Sequence, residues 1–194
     1  MEYIEWTLDK INKYLEEKEI ERGVDPKELL QLSKFVREHK FKSMFDLGTF
    51  LGVSGYIIGT SSPDGDTLVS SDIGRIEQSK YGKIHKWDYD TYGMHLPKDA
   101  IYVEGDFRDI MDDLLKKHNP EFAFLDDGHT PRAVFEQIFL CHMNKIKYIA
   151  VHDTNLRKVR RAIKAAVFKG MYKIILDDTT SCPEKGITFL ELVE

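Results

Sequence analysis

From Lys42 onward the sequence alternates short apolar runs with amphipathic stretches, and this alternation limits the folds open to the chain. Seven runs have the length and apolar content of strands: Ser43–Leu47, Thr67–Ser71, Ala100–Glu104, Phe122–Leu125, Tyr148–Val151, Tyr172–Leu176 and Ile187–Val193. Helical candidates lie between the first six: Val53–Gly59, a weak stretch within 75–86, Phe107–His118, Arg132–Asn144 and Leu156–Phe168. Strands that alternate with helices predict βαβ units and a parallel sheet covered on both faces, which is an α/β fold.

The two ends of the chain depart from this alternation. Because the stretch Asp177–Lys185 is too short and polar for a crossover helix, the last two strands are expected to form an antiparallel pair at one edge. At the other end, apolar residues at three- and four-residue steps predict a helix over Tyr3–Glu21, and Asp25-Pro26 begins a second helix that runs to His39. These helices could cover the sheet or reach a partner chain, so a homodimer is one expectation.

The sequence contains no internal repeat and no evident linker. We therefore expect a single domain over residues 1–194, in which residues 1–41 form a helical extension and residues 42–194 form the core. The segment 74–99 fits the alternation least, since it is rich in Tyr, Trp and His and is interrupted by Gly82 and Gly93. It predicts either a lid or binding loop, or an irregular connection packed onto the core by its aromatic side chains.

Charge and cysteine content exclude several classes of protein. The chain has 28 Lys and Arg against 33 Asp and Glu, a formal charge of −5, so no broad basic surface for nucleic acid or membrane is expected. Cys141 and Cys182 form no CxxC pair, which argues against a disulfide scaffold or a structural zinc site. The first residues do not resemble a secretory signal, and no apolar run approaches the ~20 residues that span a bilayer. A cytoplasmic protein is expected.

Each of the first five predicted strands ends on an acid or on a glycine–acid pair, and ligands of parallel sheets bind outside the carboxyl ends of strands. The first strand ends in Asp46 and enters a turn with Gly48 and Gly52, whose backbone can approach a ligand at the start of the next helix. Asp72, 24 residues after Gly48, is placed to bind both hydroxyls of a ribose. The later strands end in Glu104-Gly105-Asp106, Asp126-Asp127-Gly128-His129 and His152-Asp153-Thr154-Asn155. One such acid is often only a helix N-cap, but the series predicts a ligand-binding edge.

The glycine spacing distinguishes between cofactors. A dinucleotide-binding turn needs G-x-G-x-x-G, and Thr49 stands where the second glycine would be. The sequence has no G-K-[ST] and hence no P-loop. A ligand with ribose and adenine but no phosphate fits this turn better, so an NAD-dependent oxidoreductase is disfavoured.

These residues resemble a known family. The stretch D46-L-G-T-F-L-G-V-S54 is similar to the first motif of the class I S-adenosylmethionine (SAM)-dependent methyltransferases. The stretches F124-L-D-D-G-H-T130 and A150-V-H-D-T154 resemble the small-molecule O-methyltransferase-like branch, of the methyltransferase family 24 type. The resemblance covers about Lys42–Glu194. It implies a Rossmann-like, doubly wound seven-stranded sheet of order 3-2-1-4-5-7-6, with the last strand antiparallel.

The resemblance also implies which residues bind the cofactor: Asp46, Gly48, Thr49, Gly52, Ser54, Asp72, Asp106, Phe107 and Asp126. Gly48, Thr49 and Ser54 would line the methionine end of SAM. Asp72 would hold the ribose, Asp106 and Phe107 would flank the adenine, and Asp126 would face the sulfonium. The sequence departs from the family pattern at Asn144–Lys147, where a glycine pair is usual, and at Asp127-Gly128, where glycine usually precedes an acid.

Methyl transfer to a hydroxyl needs a nucleophile that is aligned with the methyl group and has lost its proton. His129 is the candidate base beside Asp126, since imidazole titrates near neutrality; the alternative is a structural histidine. In metal-assisted relatives the ends of strands four and five hold a divalent cation. Asp126 and Asp153, with His152 or Asn155, occupy those positions, and such ligands suit Mg²⁺ or Mn²⁺. The alternative is that Asp153 caps the helix beginning near Leu156.

The sequence thus predicts a SAM-dependent methyltransferase that acts on a hydroxyl of a small molecule or sugar. Methylation of nucleic acid or protein is the main enzymatic alternative, although an N-P-P-Y motif is absent from the fourth strand. Basic residues crowd Arg157–Lys164, which indicates either a phosphate-contacting stripe or a solvated helix face. A noncatalytic Rossmann-like module that binds SAM or a nucleotide is the alternative from another class.

Overall fold

A computed structural model describes residues 1–20, 25–73 and 95–193 of the chain. Its sheet has seven strands: β1 (Ser43–Leu47), β2 (Thr67–Asp72), β3 (Ile101–Glu104), β4 (Phe122–Leu125), β5 (Tyr148–Val151), β6 (Tyr172–Asp178) and β7 (Ile187–Leu192). Their order is β3-β2-β1-β4-β5-β7-β6. The pairs among β1 to β5 are parallel, whereas β7 runs antiparallel to both β5 and β6. The α/β fold, the strand order and the antiparallel last strand are therefore confirmed.

Six helices are described in these ranges: α1 (Leu8–Glu17), α2 (Pro26–His39), α3 (Val53–Ser61), α4 (Phe107–His118), α5 (Pro131–Met143) and α6 (Arg157–Phe168). One apolar core holds α1, α2 and α3 against the sheet, and a second holds α4, α5 and α6 against the opposite face. Successive residues of β4 alternate between the cores: Phe122 and Phe124 face the first, while Ala123 and Leu125 face the second. This explains why the strand is apolar throughout rather than alternating.

The N-terminal helices cover the sheet, which answers one question that the sequence left open. Ile11 of α1 and Leu29, Leu32 and Val36 of α2 are fully buried in the first core. The apolar faces that could have served a homodimer are thus used within the chain. As predicted, α2 begins with Asp25 as N-cap and Pro26 in the first turn, and a capping box completes it.

The helix predicted over Tyr3–Glu21 is shorter than expected, because Thr7 acts as its N-cap and accepts a hydrogen bond from the N–H of Lys10. The residues before Thr7, among them Ile4 and Trp6, instead contact the last turn of α3. The indole N–H of Trp6 donates to the hydroxyl of Thr60 at 3.0 Å, and the N–H of Ile4 donates to the carbonyl of Thr60 at 2.7 Å. Tertiary contacts here replace the first turn of helix.

The weak helix expected within 75–86, and most of the aromatic-rich segment 74–99, lie outside the described residues. Within the described ranges, no helix combines the length and the apolar character that crossing a bilayer requires.

Candidate functional site

The turn after β1 brings its backbone against the end of β4. Gly48 has a φ of +91°, and a Cβ atom at this position would lie 2.4 Å from the carbonyl oxygen of Asp126. Gly52 has a φ of +87° and caps α3 without a side chain. The path of this turn therefore needs both glycines. Both have left-handed backbone angles, and Gly48 also leaves room for the backbone of Asp126.

Asp46 lies beneath the turn and holds it through side-chain hydrogen bonds. Its carboxylate is fully buried and accepts from the hydroxyls of Ser54 at 3.0 Å and Ser70 at 2.6 Å. Thr49 contacts the same Ser70 hydroxyl at 2.6 Å. Burial raises the pKa of Asp46 to about 6, although the two serine hydroxyls oppose the shift. Asp46, Thr49 and Ser54 thus support the turn from below.

Asp72, at the end of β2, is attached to the same turn. One of its carboxylate oxygens accepts a hydrogen bond from the N–H of Phe50 at 2.8 Å. Phe50 itself has a φ of +46°, an uncommon conformation for a residue other than glycine. This bond fixes the turn against β2 and directs Asp72 toward the cleft described next.

An open cleft of about 350 Å³ lies at the carboxyl ends of β1, β2, β4 and β5. Its lining consists of Gly48, Phe50, Asp72, Ile73, Asp126, Asp127, His129, His152, Asp153 and Lys185. Six of the predicted site residues therefore meet here: Gly48, Asp72, Asp126, His129, His152 and Asp153. Strands that are distant in sequence supply them, as expected for the carboxyl edge of a parallel sheet.

Asp106 and Phe107 do not line this cleft. Asp106 caps α4 by accepting from the N–H of Arg108 at 2.9 Å, and it also pairs with the Arg108 guanidinium. Phe107 is 3% exposed, packs in the second core and lies beneath the guanidinium of Arg108. Their predicted contact with adenine stays a prediction.

Asp127 lines the cleft although the sequence marked it only as a departure from the family pattern. Burial, together with the charges of Asp72 and Asp106, raises the pKa of Asp127 to about 6. The side-chain amide of Gln137 donates to the backbone carbonyl of Asp127 at 2.6 Å. Three carboxyl groups thus lie near one another at the ends of β2, β3 and β4.

His129 lies between two carboxylates. Its Nε2 atom is 2.7 Å from Asp153 and 3.6 Å from Asp126. The contacts with Asp126 and Asp153 raise the pKa of His129 to about 9, because each carboxylate stabilises the imidazolium. The two carboxylates therefore favour the protonated form of His129 at neutral pH.

His152 is buried and holds a carboxylate at each ring nitrogen. Its Nδ1 lies 2.8 Å from Asp126, and its Nε2 lies 3.1 Å from Glu28 of α2. Burial alone would lower the pKa of His152, but the two carboxylates outweigh it and raise the pKa to about 10. Burial would likewise raise the pKa of Asp126 and of Asp153, but the histidines hold both below the ordinary value. Sequence reasoning missed Glu28, for which the only local signal is the capping box.

Asp153 does not cap the helix that follows it, so the helix-capping role that was the alternative to metal binding is wrong. The N-cap of α6 is Leu156, which makes no side-chain capping bond. Asp153 instead has a φ of +55° and directs its carboxylate at His129. Asn155 is also engaged elsewhere, since its amide donates to the carbonyls of Thr179, Cys182 and Pro183. Asn155 therefore anchors the β6–β7 loop and is not a free ligand.

The donor set of the cleft suits a divalent cation. Asp126, His152 and Asp153 each offer a ligand atom, and these atoms lie within 4.8 Å of one another. Both nitrogens of His152 face carboxylates and its side chain is 3% exposed, whereas the side chain of His129 is 39% exposed and its Nε2 lies between Asp126 and Asp153. Two carboxylates and one imidazole are donors that fit Mn²⁺ or a related metal.

Comparison with solved structures shows a shared fold. The O-methyltransferase TomG of Streptomyces achromogenes, solved with SAM, aligns over 100% of this chain and 92% of its own with 15% identity and a TM-score of 0.65. An O-methyltransferase of Bacillus cereus, solved with S-adenosylhomocysteine (SAH), aligns over 96% and 90% with 14% identity and a TM-score of 0.62. The SAH-bound methyltransferase PaMTH1 of Podospora anserina aligns over 98% of this chain and 89% of its own with 10% identity and a TM-score of 0.65.

No protein-family profile matches the sequence, and no curated protein matches it significantly. The likeness therefore rests on structure. This chain has the Rossmann-like methyltransferase fold that those three proteins share, over nearly its whole length.

Proposed function

We propose that this protein is a SAM-dependent methyltransferase that methylates a hydroxyl group of a small molecule or sugar. One observation carries the proposal. A single cleft is lined by Gly48 of the glycine turn and Asp72, and also by the cluster of Asp126, His129 and Asp153. The structurally similar proteins named above are methyltransferases, two of them O-methyltransferases, which supports the same reading.

The turn and Asp72 form the cofactor side of the proposed site. Gly48 lets the backbone approach a ligand closely, and Asp72 offers a carboxylate for the ribose hydroxyls. Asp46, Thr49 and Ser54 keep the turn in place from below. SAM, when bound, supplies a methyl group on a positively charged sulfur, which a nucleophile attacks directly.

His129 would take the proton of the acceptor hydroxyl. Asp126 and Asp153 raise the pKa of His129 to about 9 and so favour its protonated form at neutral pH. Positive charge bound beside these carboxylates would lower the pKa of His129 by competing for them. A histidine freed in this way accepts a proton near neutral pH, and general-base catalysis of this kind contributes ~10²–10⁴-fold.

We also propose that Asp126, Asp153 and His129 would hold a divalent cation, Mg²⁺ or Mn²⁺, if the reaction uses one. In that case Nε2 of His129 would bind the ion instead of taking the acceptor's proton, and the ion would orient the acceptor and lower the pKa of its hydroxyl. The two carboxylates are partly exposed to the cleft, with 19% of each side chain accessible. His152, predicted from sequence as a ligand, is 3% exposed and would have to break a contact with a carboxylate to bind metal.

The proposed acceptor is a small molecule, and the remaining expectations stay predictions. Arg160, from the basic stretch that suggested phosphate contacts, pairs with Asp177 at 2.7 Å, which agrees better with a structural role. The homodimer and the cytoplasmic location expected from the sequence are further proposals. Sedimentation of the purified protein tests the first of these.

Calorimetric titration with SAH tests the cofactor half of the proposal. We expect saturable binding by the wild type and a roughly 10–100-fold loss of affinity in Asp72→Asn, since hydrogen bonds to a charged group contribute about 1.5–3 kcal/mol. Asp64→Asn, in an exposed turn, is the matched control and should bind as the wild type does. Absence of SAH binding by the wild type would contradict the proposal.

A further inference from the structure

We infer that Glu28 of α2 is a positioning residue for the cleft, which holds Asp126 in its orientation through His152. This inference rests on the proposed function, because it concerns the carboxylate that would face the acceptor. Glu28 is 124 residues from His152 in sequence and belongs to the N-terminal helices rather than to the strand ends.

Three side chains form a continuous hydrogen-bonded chain from α2 to the cleft. The Oε2 atom of Glu28 lies 3.1 Å from Nε2 of His152, and Nδ1 of the same ring lies 2.8 Å from Oδ1 of Asp126. The side chains of Glu28 and His152 are 0% and 3% exposed. His152 lines the cleft with only this 3% of its side chain exposed, and Asp126, at the end of the chain, is the member most open to the cleft, with 19% exposed.

An imidazole ring has two nitrogens, and here each faces a different carboxylate. Two anchors on opposite sides of the ring fix its rotation, as carboxylate partners do for histidines in other functional sites. With Glu28 removed, His152 would keep a single anchor and its ring could turn. Asp126 would then lose the fixed partner that sets the direction of its carboxylate.

The capping box does not explain the burial of Glu28. Its Oε2 accepts from the N–H of Asp25 at 3.3 Å, a contact that an exposed glutamate can make equally well. Burying a carboxylate is costly unless charged or hydrogen-bonding partners compensate for it. Among the described residues Oε1 of Glu28 has no hydrogen-bond partner, so His152 is the charged group that offsets the burial of this carboxylate.

The position of Glu28 is itself rigid. Leu29 and Leu32, on the same helix, are fully buried in the first core, and Pro26 stands in its first turn. The helix thus presents Glu28 to His152 as a fixed support. The N-terminal helices therefore belong to the proposed active site and are more than a cover for the sheet.

The kinetic test compares Glu28→Gln and Glu28→Ala with two controls. Asp25→Ala removes the side chain that caps the same helix without touching His152, and Glu38→Gln changes an exposed acid of α2. Methyl transfer from labelled SAM to hydroxylated aromatic compounds and monosaccharides gives kcat, and calorimetry with SAH gives the cofactor affinity. Circular dichroism establishes that each variant is folded.

We expect kcat to fall about 10–100-fold in Glu28→Ala, as for loss of an orienting partner, while SAH affinity stays within about threefold. Glu28→Gln should recover part of kcat, since an amide oxygen can still accept from the ring. Both controls should keep kcat. An equal loss of kcat in Asp25→Ala, or unchanged kcat in Glu28→Ala, would overturn the inference.

A spectroscopic arm separates this inference from the proposed function. In protein labelled with ¹⁵N-histidine, the two ring nitrogens of His152 should give sharp signals, which His152→Gln assigns by their disappearance. Glu28→Ala should shift and broaden the Nε2 signal, because the ring loses one of its two anchors. An unchanged Nε2 signal contradicts the inference whatever the activity of the wild type, whereas a wild type that transfers no methyl group contradicts the proposed function.

Discussion

The Nε2 atom of His129 lies 2.7 Å from a carboxylate oxygen of Asp153, so the ends of β4 and β5 are joined by an ion pair inside the cleft. Asp126 lies 3.6 Å from the same nitrogen. The pair couples the charge of the proposed base to the two carboxylates that would hold an acceptor or a cation, and it makes the cleft sensitive to pH.

This ion pair predicts how stability changes with pH. The folded-state pKa of His129 is about 9, above its ordinary value of 6.5, so its contribution is complete below 6.5 and is lost as pH rises through about 9. His152 acts in the same direction. In EDTA the Tm of the wild type should therefore fall as pH rises from about 6.5 to about 9, and the Tm of His129→Gln should fall less over the same range. Parallel Tm curves for the two proteins would contradict the assignment.

Asp46 predicts a second loss of stability with rising pH, at more acidic values than that of His129. Its pKa in the folded protein is about 6, above the value of 3.8, so the folded state binds the proton more tightly and loses stability as pH rises from about 4 to 6. Asp46→Asn removes this penalty. We expect the variant to be more stable than the wild type by about 1–3 kcal/mol at neutral pH, and by less at pH 4.5, in urea unfolding. A variant less stable at neutral pH would show that the serine hydrogen bonds dominate.

Gly48→Ala tests the close approach of the turn to β4. A Cβ atom there would lie 2.4 Å from a backbone oxygen and would also hold a left-handed φ of +91°. We expect a loss of about 3 kcal/mol or more and no detectable SAH binding. Gly170→Ala is the matched control, since its φ is +70° but no atom lies within 4 Å of the added Cβ. That variant should lose only about 1–2 kcal/mol and keep SAH binding.

The cation proposal predicts which variants weaken Mn²⁺ binding in calorimetry. Asp153→Asn and His129→Gln should each lower the affinity about tenfold or more, because each removes a donor on a partly exposed side chain that lines the cleft. His152→Gln should have the smaller effect, since both ring nitrogens of His152 face carboxylates. A larger effect of His152→Gln would favour the ligand set predicted from sequence.

The fold was predictable because its signals are local. Apolar runs such as Phe122–Leu125, short turns and strand-end acids each occupy a few neighbouring residues, and the resemblance supplied the strand order that they leave open. The convergence of Asp72, Asp126 and Asp153 on one cleft follows from the rule that parallel strands end at one edge.

The orientation of individual side chains was not predictable in this way. Thr49 and Ser54 point beneath the turn because Gly48 and Gly52 have positive φ angles, which the sequence permits but does not specify. Glu28 meets His152 only through the packing of α2 on the sheet, a contact between residues 124 apart. Such contacts depend on the whole fold, and no local pattern encodes them.

Transfer of a labelled methyl group from SAM to a hydroxylated small molecule tests the central claim most directly. The wild type should methylate at least one compound among hydroxylated aromatic molecules and monosaccharides, and Asp72→Asn should lose most of that activity while Asp64→Asn keeps it. Transfer to none of these compounds, or transfer that Asp72→Asn leaves unchanged, would contradict the account.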